Sequence, residues 1–197
     1  MSEKFKPSFI LASASPRRRD LLTKAGYDFK IIISNIDESV FDEEKISPAE
    51  HAKKLALAKA RDVAKKYPDK IIVGADTVAD FDNEIIGKAQ TKNHAEQITR
   101  KLFSKPHKVI TAIAILWKAN NIELVKADTT IVYPKRLNAE QINSHIKSGR
   151  WKDKAGAYAI QENGDEFVER IEGSLTNVMG LGMELFTEMF NQLNEKL

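Results

Sequence analysis

The spacing of apolar and polar residues changes along the chain, and these changes predict where strands and helices lie. Short apolar or alternating runs bounded by polar residues or glycine predict five strands, at residues 9–12, 28–34, 70–74, 108–118 and 122–133. Longer segments with a helical period and capping residues predict five helices, at residues 15–26, 47–67, 93–103, 138–148 and 183–194. Because the two kinds of segment alternate, we predict an α/β protein with helices packed against a sheet.

Turn-forming residues separate several of these segments. Asp82 and Asn83 predict a hairpin turn after the third strand, and Asn120 with Asn121 predicts another between the two longest strands. The polar, glycine-rich segment 173–182 predicts a loop or a helix entry before the last helix.

Size and composition restrict the classes of protein that this chain can belong to. With 197 residues and 22.2 kDa, residues 1–197 are expected to form a single domain. The chain has no cysteine, which excludes disulfides and a cysteine nucleophile and fits a reducing, cytoplasmic location. No apolar run is long enough to span a bilayer, so we expect no membrane partner. A net charge of +3 with 8% aromatic residues argues against stable nucleic-acid binding but allows a local site for a small anion.

The first candidate for chemistry is a basic segment at the start of the first predicted helix. Ser13 and Ser15 precede this helix, and Arg17, Arg18 and Arg19 fill its first turn. Arginines at this position oppose the helix dipole, whereas hydroxyls, free N–H groups and guanidinium groups together suit a phosphate. The alternative is a solvated basic face after an ordinary cap, and at least one arginine must lie at the surface.

The second candidate is a carboxylate at the end of a predicted strand. Asp76 follows an apolar run and the small residues Gly74 and Ala75, and ligand-binding groups of α/β sheets often lie at such strand ends. Asp37 and Glu38 follow the second predicted strand and would add carboxylates for Mg²⁺, which binds one or two carboxylates plus substrate phosphates. A structural turn or cap is the alternative for Asp76.

Two lysines form the third candidate. Lys59 falls on the same helical stripe as Ala52, Ala56 and Val63, so it must either extend to solvent or meet an anion. Lys88 ends another apolar run beside a glycine and leaves the same two alternatives open.

The fourth candidate is the segment KAGAYAIQ at residues 154–161, which ends in Gln161. A glutamine amide can pair with a base edge through its donor and its acceptor, so this segment is a candidate wall of a base pocket. A tightly packed strand is the alternative. The four histidines show no metal-ligand spacing, so we expect them in surface or structural positions.

In combination, these segments resemble the Maf family over residues 8 to 195. The resemblance is carried by LASASPRRRDLL at 11–22, IDE at 36–38, KA at 59–60, GADTV at 74–78, GK at 87–88, KAGAYAIQ at 154–161 and GSLTNVMGL at 173–181. Each motif alone is only weakly specific for the family, but the order and spacing of all of them together are highly specific.

The resemblance implies a nucleoside triphosphate pyrophosphatase, which releases pyrophosphate and a nucleoside monophosphate by cleavage between the α- and β-phosphates. It implies an elongated mixed β-sheet flanked by helices, similar to the fold of the inosine triphosphate pyrophosphatases, and a divalent metal cofactor, Mg²⁺ or Mn²⁺. The segment ending in Gln161 resembles the branch that acts on dTTP and UTP. The partner is then a nucleoside triphosphate, and a homodimer is left open.

The resemblance also implies roles for individual residues. Asp76 corresponds to the catalytic carboxylate, the acceptor of a proton, and also lies near the metal together with Asp37 and Glu38; which of these two binds it stays open. The positions linked to pyrimidine preference are Arg17, Thr77 and Gln161, and those that handle phosphate are Ser13, Arg18, Lys59 and Lys88.

A nucleotide-binding regulator of cell division or septum formation, with little turnover, is the alternative function. It would use the same anion site, so the motifs do not separate the two. A carboxylate facing phosphates favours the enzyme, because a simple binder gains nothing from it unless a metal is present.

Overall fold

A mixed sheet forms the centre of the protein in a computed structural model that describes residues 7–41, 46–152, 154–158 and 167–195. Its strands are β1 (Phe9–Leu11), β2 (Phe29–Ile31), β3 (Ile72–Phe81), β4 (Glu84–Ile86), β5 (His107–Trp117), β6 (Ile122–Pro134) and β7 (Val168–Glu172). Their order is β2-β1-β3-β5-β6-β7, with β4 paired to β3 in a hairpin. β1 runs parallel to β2 and β3, whereas the other neighbours are antiparallel.

Helices lie on both sides of this sheet. They are α1 (Pro16–Lys24), α2 (Pro48–Ala64), α3 (Lys92–Leu102), α4 (Ala139–Ser148), α5 (Leu175–Met179) and α6 (Met183–Asn194), with 3-10 helices at Glu38–Phe41 and Lys118–Asn120. Local capping sets several starts: the side chains of Ser47 and Asn138 each accept a hydrogen bond from a backbone N–H in the first turn. In the described part of the chain, no helix is both long and apolar enough to cross a lipid bilayer.

The predicted fold class is confirmed, as are the bounds of the last helix and the hairpin turn at Asp82 and Asn83. The expected turn between β5 and β6 is also present, although the 3-10 helix Lys118–Asn120 lengthens it and Asn121 has a left-handed φ of 53°. The segment 173–182, predicted to be a loop or a helix entry, contains the short helix α5 and ends at Gly182, the N-cap of α6.

Two strand predictions were wrong in length. The segment 28–34 forms a strand only at Phe29–Ile31, where it pairs with β1. The segment 70–74 was too short, because β3 continues to Phe81 through its antiparallel pairing with β5. Asp76 therefore lies inside a long strand and does not end it.

Small residues bring α2 into close contact with β3. Ala56 and Ala60 on the helix are fully buried, and they face Gly74 on the strand. A Cβ atom added at Gly74 would lie 2.2 Å from the carbonyl oxygen of Ala56 and 2.9 Å from the backbone nitrogen of Ala60. Only a glycine permits this approach, and it brings Lys59, between the two alanines, close to the strand.

We expect Gly74→Ala to lower the free energy of unfolding by about 2 kcal/mol, because the added methyl group must push α2 away from β3. Gly87→Ala is the matched control, since a Cβ atom there has nothing within 4 Å. Denaturant unfolding of both variants measures the difference. Equal stability of the two variants would contradict the close-packing argument.

The core beside α3 and α4 contains a histidine that is held neutral. His107 is 3% exposed, and Nδ1 lies 3.1 Å from the carbonyl oxygen of Leu102. Burial lowers the pKa of His107 from 6.5 to about 4, although backbone hydrogen bonds act in the opposite direction. The unfolded chain therefore binds a proton in a pH range where the folded protein does not.

This difference predicts that the protein loses stability as the pH falls from 6.5 towards 4. Because the pKa is lower in the folded state, the full stability is present above the unfolded pKa, and the loss approaches about 3 kcal/mol near pH 4. Denaturant unfolding at several pH values measures the slope. In His107→Gln the slope should be smaller than in the unaltered protein, and an equal slope in the two proteins would contradict this prediction.

Candidate active site

The candidate site lies where β1 ends beside the longer β3. β1 pairs with β3 only at Ile72 and Val73, so the chain beyond Leu11 leaves the sheet just before Asp76. This divergence opens one edge of β3 to the residues that follow β1. The carboxyl end of a parallel strand therefore does border the site, but that strand is β1 and not the strand that carries Asp76.

Asp76, Lys59 and Glu38 form a chain of charges on the α2 side of the sheet. The ammonium nitrogen of Lys59 lies 2.7 Å from Oδ1 of Asp76 and 2.9 Å from Oε1 of Glu38. Asp76 and Lys59 are buried, with side chains 9% exposed, whereas the Glu38 side chain is 47% exposed. Lys59 thus meets an anion, as one of the two sequence interpretations required.

Glu38 is ionised in this arrangement. Partial burial acts to raise the pKa of Glu38, but the charge of Lys59 and its hydrogen bond outweigh it, with help from Lys88 and Arg18, and the pKa lies below its ordinary value. Two carboxylates therefore share one ammonium group at this position.

The side chain of Arg18 holds the other side of the site together. Its Nε donates to the carbonyl oxygen of Gly180 at 2.8 Å, and its two terminal nitrogens donate to Oγ of Ser13 at 2.9 Å and to Oγ1 of Thr77 at 3.1 Å. Burial lowers the pKa of Arg18, while the charge of Asp76 acts in the opposite direction. Arg18 connects the segment after β1, the middle of β3 and the end of α5.

A line of hydrogen bonds continues from Thr77 into the sheet. Oγ1 of Thr111 donates to the carbonyl oxygen of Asn177 at 2.8 Å, so the 2.9 Å bond between the two threonines is donated by Thr77. The amide nitrogen of Asn177 donates to the carbonyl oxygen of Val109 and to Oγ1 of Thr130, both at 3.0 Å. Thr77 and Asp76 are consecutive in β3 and point to opposite faces of the sheet.

The three consecutive arginines have three different environments. Arg18 is buried, Arg17 is half-buried, and Arg19 is exposed beside Asp20, with Nε 3.1 Å from its carboxylate. Burial lowers the pKa of Arg17. The surface position expected for at least one arginine is therefore that of Arg19.

Lys88 reaches the site from the strand end after β4. Its charge contributes to the low pKa of Glu38, and its backbone forms an isolated antiparallel bridge with Ala155. The segment 154–161 was expected to be either a base-pocket wall or a packed strand. Its described part is a turn that joins Gly87 through a 3.1 Å hydrogen bond from Gly156 N to Gly87 O.

One predicted site residue that the structure describes, Asp37, makes its hydrogen bonds away from the Asp76–Lys59–Glu38 group. Oδ1 of Asp37 accepts hydrogen bonds from the backbone N–H and the hydroxyl of Ser39, at 3.0 and 2.7 Å, which lower the pKa of Asp37 and place it at the start of the 3-10 helix. Gln161 lies outside the described residues. Among those residues, no group of three His, Asp or Glu side chains could hold a metal ion alone.

Sequence reasoning did not identify Thr111, Asn177 or Thr130 as part of the site framework. All three are fully buried. One signal was available, because Thr111 interrupts the longest apolar run of the sequence, which forms most of β5. A buried hydroxyl in such a strand requires a partner, which here is the backbone of α5.

Comparison with known proteins assigns the chain to a family. The model of the family described as Maf-like protein matches residues 8–193, and the chain belongs to this family. It is 43% identical to a dTTP/UTP pyrophosphatase of Ruminiclostridium cellulolyticum over 96% of this chain and 98% of that protein. A dTTP/UTP pyrophosphatase of Dictyoglomus thermophilum is 41% identical over 98% of this chain and 99% of that protein.

One solved structure shares the fold at low sequence identity. A HAM1 protein from Coxiella burnetii aligns with a TM-score of 0.51 and 14% identity, over 95% of this chain and 98% of that one. The likeness supports the mixed α/β architecture and nothing about the reaction.

Proposed function

We propose that this protein hydrolyses nucleoside triphosphates to the monophosphate and pyrophosphate, with dTTP and UTP as preferred substrates. The observation that carries the proposal is the buried Asp76–Lys59 pair, joined by Glu38 and influenced by the charges of Arg18 and Lys88, in a Maf-family chain. Relatives named dTTP/UTP pyrophosphatases, at 41 to 43% identity over almost the whole chain, support the choice of substrate. Residues 1–197 would then act as one domain.

Asp76 is the acceptor group in this proposal. The ammonium group of Lys59 donates to this carboxylate at 2.7 Å and fixes its position, and the carboxylate can orient a water molecule and accept its proton. Attack of that water on the α-phosphorus breaks its bond to the bridging oxygen, and pyrophosphate leaves with the electron pair of that bond.

A divalent metal fits the donor set. Glu38 and Asp76 bring two carboxylates to one ammonium group, and Mg²⁺ or Mn²⁺ usually binds one or two carboxylates together with substrate phosphate oxygens. When bound, the ion would neutralise charge on the phosphates. Asp37 has the weaker claim, because its carboxylate is already used by Ser39.

The cations divide into two kinds by their existing contacts. Arg17 and Lys88 would contact the triphosphate directly, together with backbone N–H groups at the start of α1, where Ser15 makes no side-chain cap. Arg18 donates to Ser13, Thr77 and Gly180, so we assign it first to positioning of the loops that surround the phosphates. Ser13 and Thr77 then serve the site through Arg18.

Release of pyrophosphate from a panel of nucleotides tests the function. The purified protein with Mg²⁺ or Mn²⁺ should hydrolyse dTTP and UTP with a higher kcat/KM than CTP, GTP or 7-methyl-GTP. Omission of the metal with added chelator should abolish turnover. Nucleotide binding without pyrophosphate release would favour the regulator of cell division instead.

Gln161→Glu should reduce kcat/KM for dTTP and UTP more than for the other triphosphates. An amide can donate to a carbonyl of thymine or uracil and accept from N3–H, whereas a carboxylate can only accept. A site that leaves polar groups unpaired discriminates strongly between bases. An equal loss of kcat/KM for all five nucleotides would contradict a role of Gln161 in base recognition.

A further inference from the structure

Two buried histidines lie outside the residues assigned above, in the core formed by α3, α4 and residues 154–158. His107 begins β5 and His145 lies on α4, and each is 3% exposed. Aromatic rings surround them: the ring of Tyr158 meets that of His107 edge-on at 5.5 Å, and Phe167 meets His145 at 5.1 Å. Polar side chains this deeply buried destabilise the folded protein unless they are hydrogen-bonded.

The hydrogen bonds of both histidines have a defined direction. Nδ1 of His107 faces the carbonyl oxygen of Leu102 at 3.1 Å, and a carbonyl only accepts, so Nδ1 carries the proton. Nε2 of His107 therefore accepts from the hydroxyl of Tyr158 at 2.6 Å. Nε2 of His145 donates to the carbonyl oxygen of Ala157 at 2.8 Å. The two imidazoles thus form hydrogen bonds with two consecutive residues, Ala157 and Tyr158.

One of these two residues, Ala157, adopts an unfavourable backbone conformation next to a left-handed glycine. Gly156 and Ala157 have φ angles of +71° and +57°, and alanine rarely adopts a left-handed conformation. The turn is closed by a 3.1 Å hydrogen bond from Ala157 N to the carbonyl oxygen of Lys154. Such a conformation persists where the surrounding contacts impose it. The hydrogen bond from His145 to Ala157 is one of these contacts, and His107 fixes the next residue, Tyr158.

This turn is attached to the strand end that carries Lys88. Gly156 N donates to the carbonyl oxygen of Gly87 at 3.1 Å, and Ala155 forms the antiparallel bridge with Lys88. In Gly156 an added Cβ atom would lie 2.8 Å from the side chain of Leu102, so the turn also packs tightly against α3. A shift of the turn would move the backbone of Lys88 with it.

We propose that His107 and His145 are positioning residues that clamp the turn at 154–158 and thereby place Lys88 against the triphosphate. The role of Lys88 in this inference rests on the proposed function. The clamp itself rests on the hydrogen bonds of the two histidines and on the backbone contacts between the turn and residues 87–88. Neither histidine touches the reacting atoms in this scheme. Their effect on the reaction passes through the backbone of residues 155–157 and 87–88.

Tyr158→Phe tests the clamp with the smallest chemical change, because it removes only the hydroxyl bound to His107. We expect the KM for UTP to rise about fivefold, the size of effect that one neutral hydrogen bond carries, with kcat little changed. Tyr133→Phe is the matched control, since it removes a tyrosine hydroxyl that donates at 2.9 Å to Glu172 on the exposed β6–β7 surface. A lower melting temperature with unchanged KM, or an equal rise in both variants, overturns the proposal.

A double variant shows whether the effect passes through Lys88. In a Lys88→Met background, Tyr158→Phe should produce no further rise in KM, because the group that the clamp positions is already absent. A full additional rise would overturn this route. His145→Gln, which keeps a donor near the Nε2 position, should retain a KM near that of the unaltered protein, whereas His145→Leu should raise it.

Hydrogen exchange separates failure of the clamp from failure of the proposed function. If the clamp holds the turn, the Gly156 amide should exchange faster in Tyr158→Phe than in Tyr133→Phe, with or without nucleotide present. Absence of hydrolysis by the unaltered protein would overturn the proposed function and leave this measurement valid. Identical exchange at Gly156 in both variants would overturn the clamp whatever the activity.

Discussion

Asp76→Asn should lower kcat for dTTP and UTP by about two orders of magnitude or more, because it removes the negative charge and proton-accepting capacity of the central carboxylate. The substitution keeps the shape of the side chain, which is 9% exposed and lies 2.7 Å from the ammonium group of Lys59. Pyrophosphate release at saturating nucleotide measures the loss. Circular dichroism and a melting curve establish that the variant is folded.

Asp80→Asn provides a matched control on the same strand. Asp80 is 4% exposed, and its Oδ1 accepts a hydrogen bond at 2.8 Å from Asn83 N in the β3–β4 turn. It shares the burial of Asp76 but not the contact with Lys59, so its variant should retain kcat. Near-normal hydrolysis by folded Asp76→Asn would contradict the assignment of Asp76 as the catalytic carboxylate.

Arg18→Met should destabilise the protein by about 3 kcal/mol, because it leaves three acceptors without their donor and removes a buried counter-charge from Asp76. For a chain of this size, that loss corresponds to a fall of about 6 to 12 °C in melting temperature. Activity should also fall, since the loops that carry Ser13 and Gly180 lose their connection to β3.

Arg17→Met, at the neighbouring residue, should have the opposite profile. The charge of Arg17 repels that of Arg18, and burial lowers the pKa of Arg17. Removal of the Arg17 charge should therefore leave the free energy of unfolding unchanged or slightly higher. The KM for UTP should rise, because a cation that contacts phosphate is lost. Melting curves and kinetics of the two variants together test the division, and equal destabilisation of both would contradict it.

Local sequence signals determined most of the helices and turns. α6 has its predicted bounds because Phe186, Met189, Phe190 and Leu193 recur at a helical period and are buried together. α4 begins with a capping box at Asn138 and ends at a left-handed glycine, both of which are signals within a few residues. Such elements depend on short-range preferences, and those are present in the sequence alone.

Strand lengths were less predictable because they depend on partners elsewhere in the chain. Nothing within residues 70–81 indicates that β3 continues past Gly74, since its second half is defined by pairing with β5, some thirty residues later. α5 was missed for a related reason. It has only five residues, too few for an apolar period, and hydrogen bonds to β5 and β6 hold it in place.

The sequence by itself determined the fold class, the family and the types of residue that the site contains. Only the tertiary structure decided how those residues divide their roles. Residues 17, 18 and 19 are all arginines, so the sequence does not distinguish them, but contacts with β3 and the end of α5 bury only Arg18. Lys59 reaches Asp76 because Gly74 permits the approach of α2. Each of these contacts joins residues far apart in the chain, so it depends on the packing of whole elements, which local preferences do not specify.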